Sequence, residues 1–208
     1  MISKRGCQTY WTEPAIRSTS GKLRQIVVRL RPFRRPGHLN DTTMFPDTGQ
    51  DRRSQAAKAL FEQAYTRQMR GEFPEAVLLY KQSIETLPTA EAYTFLGWTY
   101  RFMGDLQAAI VECKNAILID PTLGNPYNDI GAYLIDLGQF EESIAWLRKA
   151  TMSRRYESYH YPWFNLGRAH AALEQWPESL LCFEKAADLA PDYRAAREAA
   201  SEIRRMMQ

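Results

Sequence analysis

The sequence predicts an all-α solenoid of helix–turn–helix repeats, preceded by a basic arm that reads as mostly disordered. Three observations predict it. The composition is globular, with 45% hydrophobic and 25% charged residues over 208 positions. Small residues recur in columns that share the same irregular step, and Gly and Pro stand where paired helices would begin and end. Self-similarity at a period of about 34 residues is the mark of a stacked array. No apolar run approaches the roughly 18 residues that a membrane span needs, the longest candidate being Ile26-Val27-Val28. Cys7, Cys113 and Cys182 are too few and too scattered for a disulfide framework or a zinc site.

Residues 1–50 form the arm. They hold nine Lys or Arg against three acids, net +6, whereas residues 51–208 hold 18 against 21, net −3. The overall charge of +3 therefore describes neither part. Pro14, Pro32, Pro36 and Pro46 interrupt the arm, and Leu23–Leu30 offers a single short strand with no sheet to join. Lys4-Arg5 leads into no apolar core, so a secretory signal is not expected, and Cys7 lacks the context of a lipid anchor. A mitochondrial presequence fits the composition, but Gly21 and the β-branched run after it weaken the helix such a signal needs. Ser20-Gly21-Lys22 has the ending of a phosphate-binding loop, yet Ile16 and Leu23 occupy its required positions. Three readings stay open: a solvated arm, a contact for nucleic acid or an anionic surface, and translation beginning at Met44. A cytoplasmic location is the expectation.

From about residue 57 the chain repeats. Ala64, Gly97, Gly131 and Gly167 are spaced by 33, 34 and 36 residues. Ala76, Ala109, Ser143 and Ser179 keep the same three gaps, as do Ser83, Ala116, Ala150 and Ala186, and the bulky set Phe73, Leu106, Phe140 and Trp176. Four units follow, at about 57–89, 90–123, 124–157 and 160–191. Within the second, Tyr93, Leu96, Gly97 and Tyr100 share one helical face, Gly104-Asp105 breaks the helix, and Leu106, Ala109, Cys113, Ala116 and Ile117 form the stripe of a second helix. Asp120-Pro121 ends it. Pro74 and Pro177 stand at first-turn positions, where a missing N–H costs nothing. Residues 192–207 read as one amphipathic helix, with Ala195, Ala196, Ala199, Ile203 and Met206 inward, a cap for the array.

These residues resemble the tetratricopeptide repeat. The second unit carries Tyr93, Leu96-Gly97, Tyr100, Ala109, Ala116 and Pro121, departing at Cys113 where an aromatic is usual. The fourth carries Trp163, Leu166-Gly167, Ser179, Phe183, Ala186 and Pro191. The first closes with Ala76, Tyr80 and Pro88; the third has Tyr127, Ile130-Gly131, Leu147 and Ala150, but Arg155 in place of the closing proline. The resemblance implies a right-handed superhelix whose first helices line a concave surface that binds a peptide or helix of a partner protein. At about 100° per residue, Glu91, Thr94, Trp98, Arg101 and Phe102 fall opposite the core positions of their helix. Carried over by position, the partner-binding residues are Phe61, Tyr65, Met69, Thr94, Trp98, Arg101, Phe102, Asn128, Phe164 and Arg168. Phe61, Tyr65, Trp98 and Phe102 are expected to form a solvent-facing aromatic patch, the kind of surface that supplies binding hot spots. Arg101 and Arg168 beside it are candidates for a partner's carboxylate.

Chaperone-receptor members of the family grip a terminal carboxylate with Lys, Asn and Arg. The matching positions here are Phe61, Tyr65, Phe95, Asn125 and Asp129, or in the next register Thr94, Trp98, Asp129, Tyr161 and Asn165. Neither register supplies a cation, so heat-shock chaperone tails are not the expected ligand. Nucleic acid could be met only through the arm. The joint at residues 154–161, rich in Tyr and Arg, reads as a longer connection whose tyrosines pack on the fourth unit, with nucleic-acid contact the alternative. Catalysis, cofactors and metals find no motif. His38, His160 and His170 are far apart, and Cys113 and Cys182 lie on apolar stripes. Glu75, Glu141 and Glu178 sit at helix starts, where they complement the dipole.

Overall fold

The computed structural model describes residues 49–208. The expectations for the arm, including the strand at Leu23–Leu30 and the start at Met44, lie outside the described residues. These residues fold into α-helices only: α1 Gly49–Met69, α2 Phe73–Thr86, α3 Ala90–Phe102, α4 Leu106–Ile119, α5 Asn125–Asp136, α6 Phe140–Met152, α7 His160–Ala172, α8 Trp176–Leu189 and α9 Arg194–Met206. Each odd-numbered helix up to α7 pairs with the even-numbered one after it, and α9 packs on α8. None of the described helices is long and apolar enough to cross a membrane.

Local chemistry sets the helix ends. Thr89 caps α3, its hydroxyl accepting from Ala92 N–H at 3.1 Å, and the Asp105 carboxylate caps α4 by accepting from Ala108 N–H at 2.9 Å. Pro74, Pro126 and Pro177 occupy the first turns of α2, α5 and α8. Helix α1 begins eight residues before the first repeat starts at about residue 57, and Arg53 in that extension donates to the Thr86 carbonyl at the end of α2 at 3.0 Å.

The small columns mark where paired helices cross. A Cβ on Gly131 would lie 2.4 Å from Leu147 Cγ, and one on Gly167 would lie 2.6 Å from Phe183 Cδ1. Ser179 adds a hydroxyl bond to the Gly167 carbonyl at 2.9 Å, and Ser83 bonds the Ala57 carbonyl at 2.8 Å, so these two serines tie helices together, whereas Ser143 bonds the Phe140 carbonyl of its own helix.

Arg155, which stands where the other repeats close with proline, forms a parallel bridge with Leu123. Its N–H donates to the Thr122 carbonyl at 2.9 Å, and its carbonyl accepts from Gly124 N–H at 3.0 Å. Proline has no N–H to give, so the departure from the repeat pattern has a structural reason. The guanidinium also pairs with Glu91 at 2.6 Å and with Asp120. The tyrosines of this joint divide. Tyr156 is buried where a Cβ on Gly124 would strike it, and Tyr159 donates to the Ser153 carbonyl at 2.5 Å, both toward the third repeat. Tyr161 packs edge-on to Tyr193 at the start of the cap. In α9 the buried stripe is Ala196, Ala200 and Ile203. Met206, expected inward, is 58% exposed in the last turn, where the stripe ends with the helix.

The turns between paired helices share one backbone solution. Gly71, Gly104 and Gly138 take φ of +76°, +85° and +75°, and Glu174 takes 57° at the matching place in the fourth repeat. A Cβ in that region costs roughly 1–2 kcal/mol. Replacement Glu174→Gly is expected to raise stability by about 1 kcal/mol in urea denaturation, whereas Glu174→Ala, which keeps the Cβ, yields no such gain.

Candidate partner-binding face

The first helices α1, α3, α5 and α7 bear the residues expected to meet a partner. Packing along this face is tighter than the helical wheel suggests. Phe61 lies 5.1 Å from Phe95 in an edge-on contact, and Tyr65 lies 5.8 Å from the same ring. Phe95 in turn sits 4.5 Å from Trp98. Phe95 is thus the hub of an aromatic cluster that also touches Tyr80. Trp98 is only 6% exposed, so the expectation of a solvent-facing patch is corrected: Phe61 and Tyr65 are half-buried, and Trp98 belongs to the core. The reason is the neighbouring repeat. The position opposite the intra-repeat core points along the array, toward the next first helix, and Trp98 fills the gap between α3 and α5.

Phe102 alone of that patch is well exposed, at 50%, with its ring stacked on Phe73 at 5.6 Å. Met69 is exposed near the end of α1. Thr94 and Asn128, also expected to face a ligand, are buried. The Thr94 hydroxyl donates to the Ala90 carbonyl at 2.7 Å, one turn back in its own helix. Phe164 packs on Phe183 and Tyr193, 5.3 and 5.1 Å away, and supports the cap.

Asn128 belongs to a polar chain that crosses three repeats. The Trp98 indole N–H donates to Asp129 Oδ2 at 2.5 Å, and Asn128 Nδ2 lies 3.4 Å from Asp129 Oδ1. Asn165 Nδ2 donates to Asn128 Oδ1 at 3.0 Å, and Arg168 Nη1 donates to Asn165 Oδ1 at 3.1 Å. Arg168 Nη2 then reaches Asp136 Oδ1 at 3.3 Å, whose other oxygen faces Arg101 Nη2 at 3.5 Å. The Arg101 guanidinium lies over the Tyr133 ring at 5.8 Å. Asp129 and Asn165 were not singled out as site residues by sequence reasoning, whereas Asp136 falls on the concave side that the resemblance implies. The available signal was a carboxylate and an amide at 129 and 165, in the column where the second repeat carries Phe95.

Burial dominates the ionisation of this chain. Desolvation raises Asp129 from the ordinary 3.8 to about 7, opposed by the bonds from Trp98 and Asn128 and by the charge of Arg101. The thiols behave likewise: burial pushes Cys113 far up and Cys182 to about 11, so both remain protonated at neutral pH. Burial lowers His160, which packs against Tyr161 and Tyr193, and His170 Nδ1 lies 2.6 Å from Gln175 Oε1. Among the described residues no group of His, Cys, Asp or Glu is arranged to hold a metal ion.

Paired helices stacked in series around successive apolar clusters, with a polar and partly apolar face along the first helices, define a helical-repeat solenoid. Residues 90–123, 125–156 and 160–193 match sequence profiles of the tetratricopeptide repeat, and the chain belongs to that family. No curated protein sequence matches the chain. Among solved structures it is similar to PilF of Pseudomonas aeruginosa, at 20% identity over 73% of this chain and 68% of that one, with a TM-score of 0.68. It is also similar to YrrB, described as a tetratricopeptide-repeat protein with an unusual peptide-binding site, at 18% identity over 71% and 76% of the two chains, with a TM-score of 0.60. A third likeness is to the first such domain of Spaghetti (RPAP3) bound to an HSP90 peptide, at 20% identity over 57% and 93%, with a TM-score of 0.54. At these identities the likeness is one of fold.

The raised Asp129 carries a sign. Its folded form holds a proton more tightly than the unfolded chain does, so its contribution to stability is greatest below about pH 4. That contribution is lost as pH rises toward about 7, and is flat beyond. Asp120, lowered chiefly by its bond from Thr122, works the other way and is lost as pH falls. Urea midpoints measured from pH 4 to 8 are therefore compared with those of Asp129→Asn, which keeps an acceptor for Trp98. The variant gains on the wild type as pH rises from 4 toward about 7 and holds that gain up to pH 8.

Proposed function

We propose that the chain is a protein-interaction module whose first-helix face takes an extended peptide or a helix of a partner protein, without catalysing a reaction. The repeats themselves support an interaction module. The observation that carries the finer reading is a juxtaposition on α3: exposed Phe102 stands next to Arg101, which shares Asp136 with Arg168 across three successive first helices. An apolar anchor beside ordered charge is what a peptide site requires, the ring supplying desolvation and the charges supplying register. Met69 extends the apolar part toward α1.

A non-catalytic reading agrees with the buried, protonated thiols and with His170 held by Gln175. Heat-shock chaperone tails stay outside the proposed ligands. At the positions that would grip such a tail, Phe95, Thr94, Trp98 and Asp129 are buried against neighbouring helices, and none of them is a cation.

Random dodecapeptides displayed on phage and selected on the full-length protein test the reading. Recovered peptides are expected to lose about tenfold in affinity, by fluorescence anisotropy, on the double change Met69→Ala/Phe102→Ala, a loss of about 1.4 kcal/mol. Both side chains are half exposed, so the thermal melt should not move. Leu78→Ala/Leu181→Ala on the second helices, somewhat more exposed, serves as the control and leaves binding intact. Recovery of no peptide, or equal losses in both pairs, would sink the proposal. Trp98 is a poor probe because truncating it opens the core.

A further inference from the structure

We infer that Arg101, Asp136 and Arg168 form a receptor for a carboxylate of the bound peptide, supplied by an Asp or Glu side chain or by a free chain end. The inference rests on the peptide-binding reading above and names the chemistry that the site selects.

The three side chains come from α3, α5 and α7, and each keeps about a third of its surface in contact with solvent: 31%, 31% and 30% for Arg101, Asp136 and Arg168. Two guanidinium groups, charged at any physiological pH, share one carboxylate, which leaves a surplus of one positive charge. Their contacts with it are weak. Arg101 uses one terminal nitrogen at 3.5 Å and Arg168 one at 3.3 Å, each to a different oxygen of Asp136. A well-made guanidinium–carboxylate pair is bidentate and closes to about 2.8 Å. Asp136 therefore straddles two forks and fills neither.

The surroundings do not supply the missing acceptor. Arg101 Nε is buried without a hydrogen-bond partner, and the adjoining Tyr133, fully buried, has its hydroxyl in the same condition. Such groups are uncommon in folded proteins and call for a reason. Asp129 feels the charge of Arg101, but its own partners are the Trp98 indole and the Asn128 amide, and desolvation raises it to about 7, so it carries only part of a negative charge near neutral pH.

Arg168 is ordered before any ligand arrives. Its Nη1 is bonded to Asn165, which is buried and bonded to Asn128. Holding a guanidinium in place reduces the entropy lost on binding. The charge count then selects the ligand: a monoanion neutralises the surplus, whereas a phosphate dianion would place a net negative charge beside Asp136. The planar fork also matches the two oxygens of a carboxylate.

The full-length protein and the peptides recovered from selection test this through effects of opposite sign. Recovered peptides are expected to share an acidic residue or an acidic end. Replacing that Asp or Glu by its amide, or amidating the terminus, tells the two sources apart, and the arm that matters costs about tenfold in affinity. Arg101→Gln and Arg168→Gln each cost a similar factor and no longer distinguish acid from amide peptide. Asp136→Asn removes the internal competitor and raises affinity for the acidic peptide severalfold, an outcome a merely structural role would not give. Peptides with no acidic preference, or weaker binding by Asp136→Asn, overturn the inference. If Met69→Ala/Phe102→Ala still impairs those peptides, the groove stands without its carboxylate receptor. Recovery of no peptide at all removes both.

Discussion

The described chain depends on how closely the two helices of each repeat cross. At Gly131 and Gly167 the facing side chains, Leu147 and Phe183, occupy the space a Cβ would need, and both are buried. Gly97 faces the smaller Cys113, and there the limit is the Ala109 carbonyl, 3.1 Å from a Cβ. The departure from an aromatic at Cys113 and the glycine opposite it are thus one fact: the crossing is close enough for backbone to meet backbone. In the first repeat Ala64 is accommodated, and Tyr80 across from it keeps its hydroxyl satisfied by Gln68 at 2.7 Å. Overfilling such a crossing costs on the order of 1–3 kcal/mol, more than the gain of about 1 kcal/mol from removing a glycine from a helix.

Close crossing within a repeat brings each first helix near the next. That second contact decides what the first-helix face can offer. With α3 and α5 adjacent, there is room between them for one indole and its acceptor, and Trp98 and Asp129 take it. The residues left to solvent are those nearer the helix ends, Phe102, Arg101 and Asp136 with Met69 and Arg168. The proposed partner-binding face is therefore a strip along the turn end of the first helices, instead of covering their full width.

The repeats were legible because their evidence is redundant. Four columns keep gaps of 33, 34 and 36, and the small residues in them meet in the folded chain as the spacing requires. Exposure on the first-helix face was not legible to the same degree. A helical wheel sorts residues about one axis and is blind to the neighbouring repeat, which is why Trp98, Thr94 and Asn128 read as outward and are buried. Arg155 shows the converse. In the sequence it is a flaw in a pattern, and in the fold it is a residue chosen for an N–H that proline lacks. Glu174 is a similar case, since three glycines at the matching turn announce a left-handed backbone that the fourth repeat adopts without one.

Burying Asp129 is costly, and an apolar pair of the same volume could match or exceed the stability of such a polar contact. Its place in a longer chain gives the expense a use. From the Trp98 indole through Asp129, Asn128 and Asn165 to Arg168, each group is bonded to the next, and the run ends at a guanidinium in contact with solvent. Apolar contacts are non-directional, whereas hydrogen bonds weaken steeply as their angles depart from linear. The chain therefore fixes the rotation of α7 about its axis relative to α5 and α3. A core of leucines could hold these helices together, but it would not dictate where Arg168 points. The orientation of a surface cation is in this way set by an indole two repeats away, and the buried polar residues shape the proposed partner-binding face even though no partner can touch them.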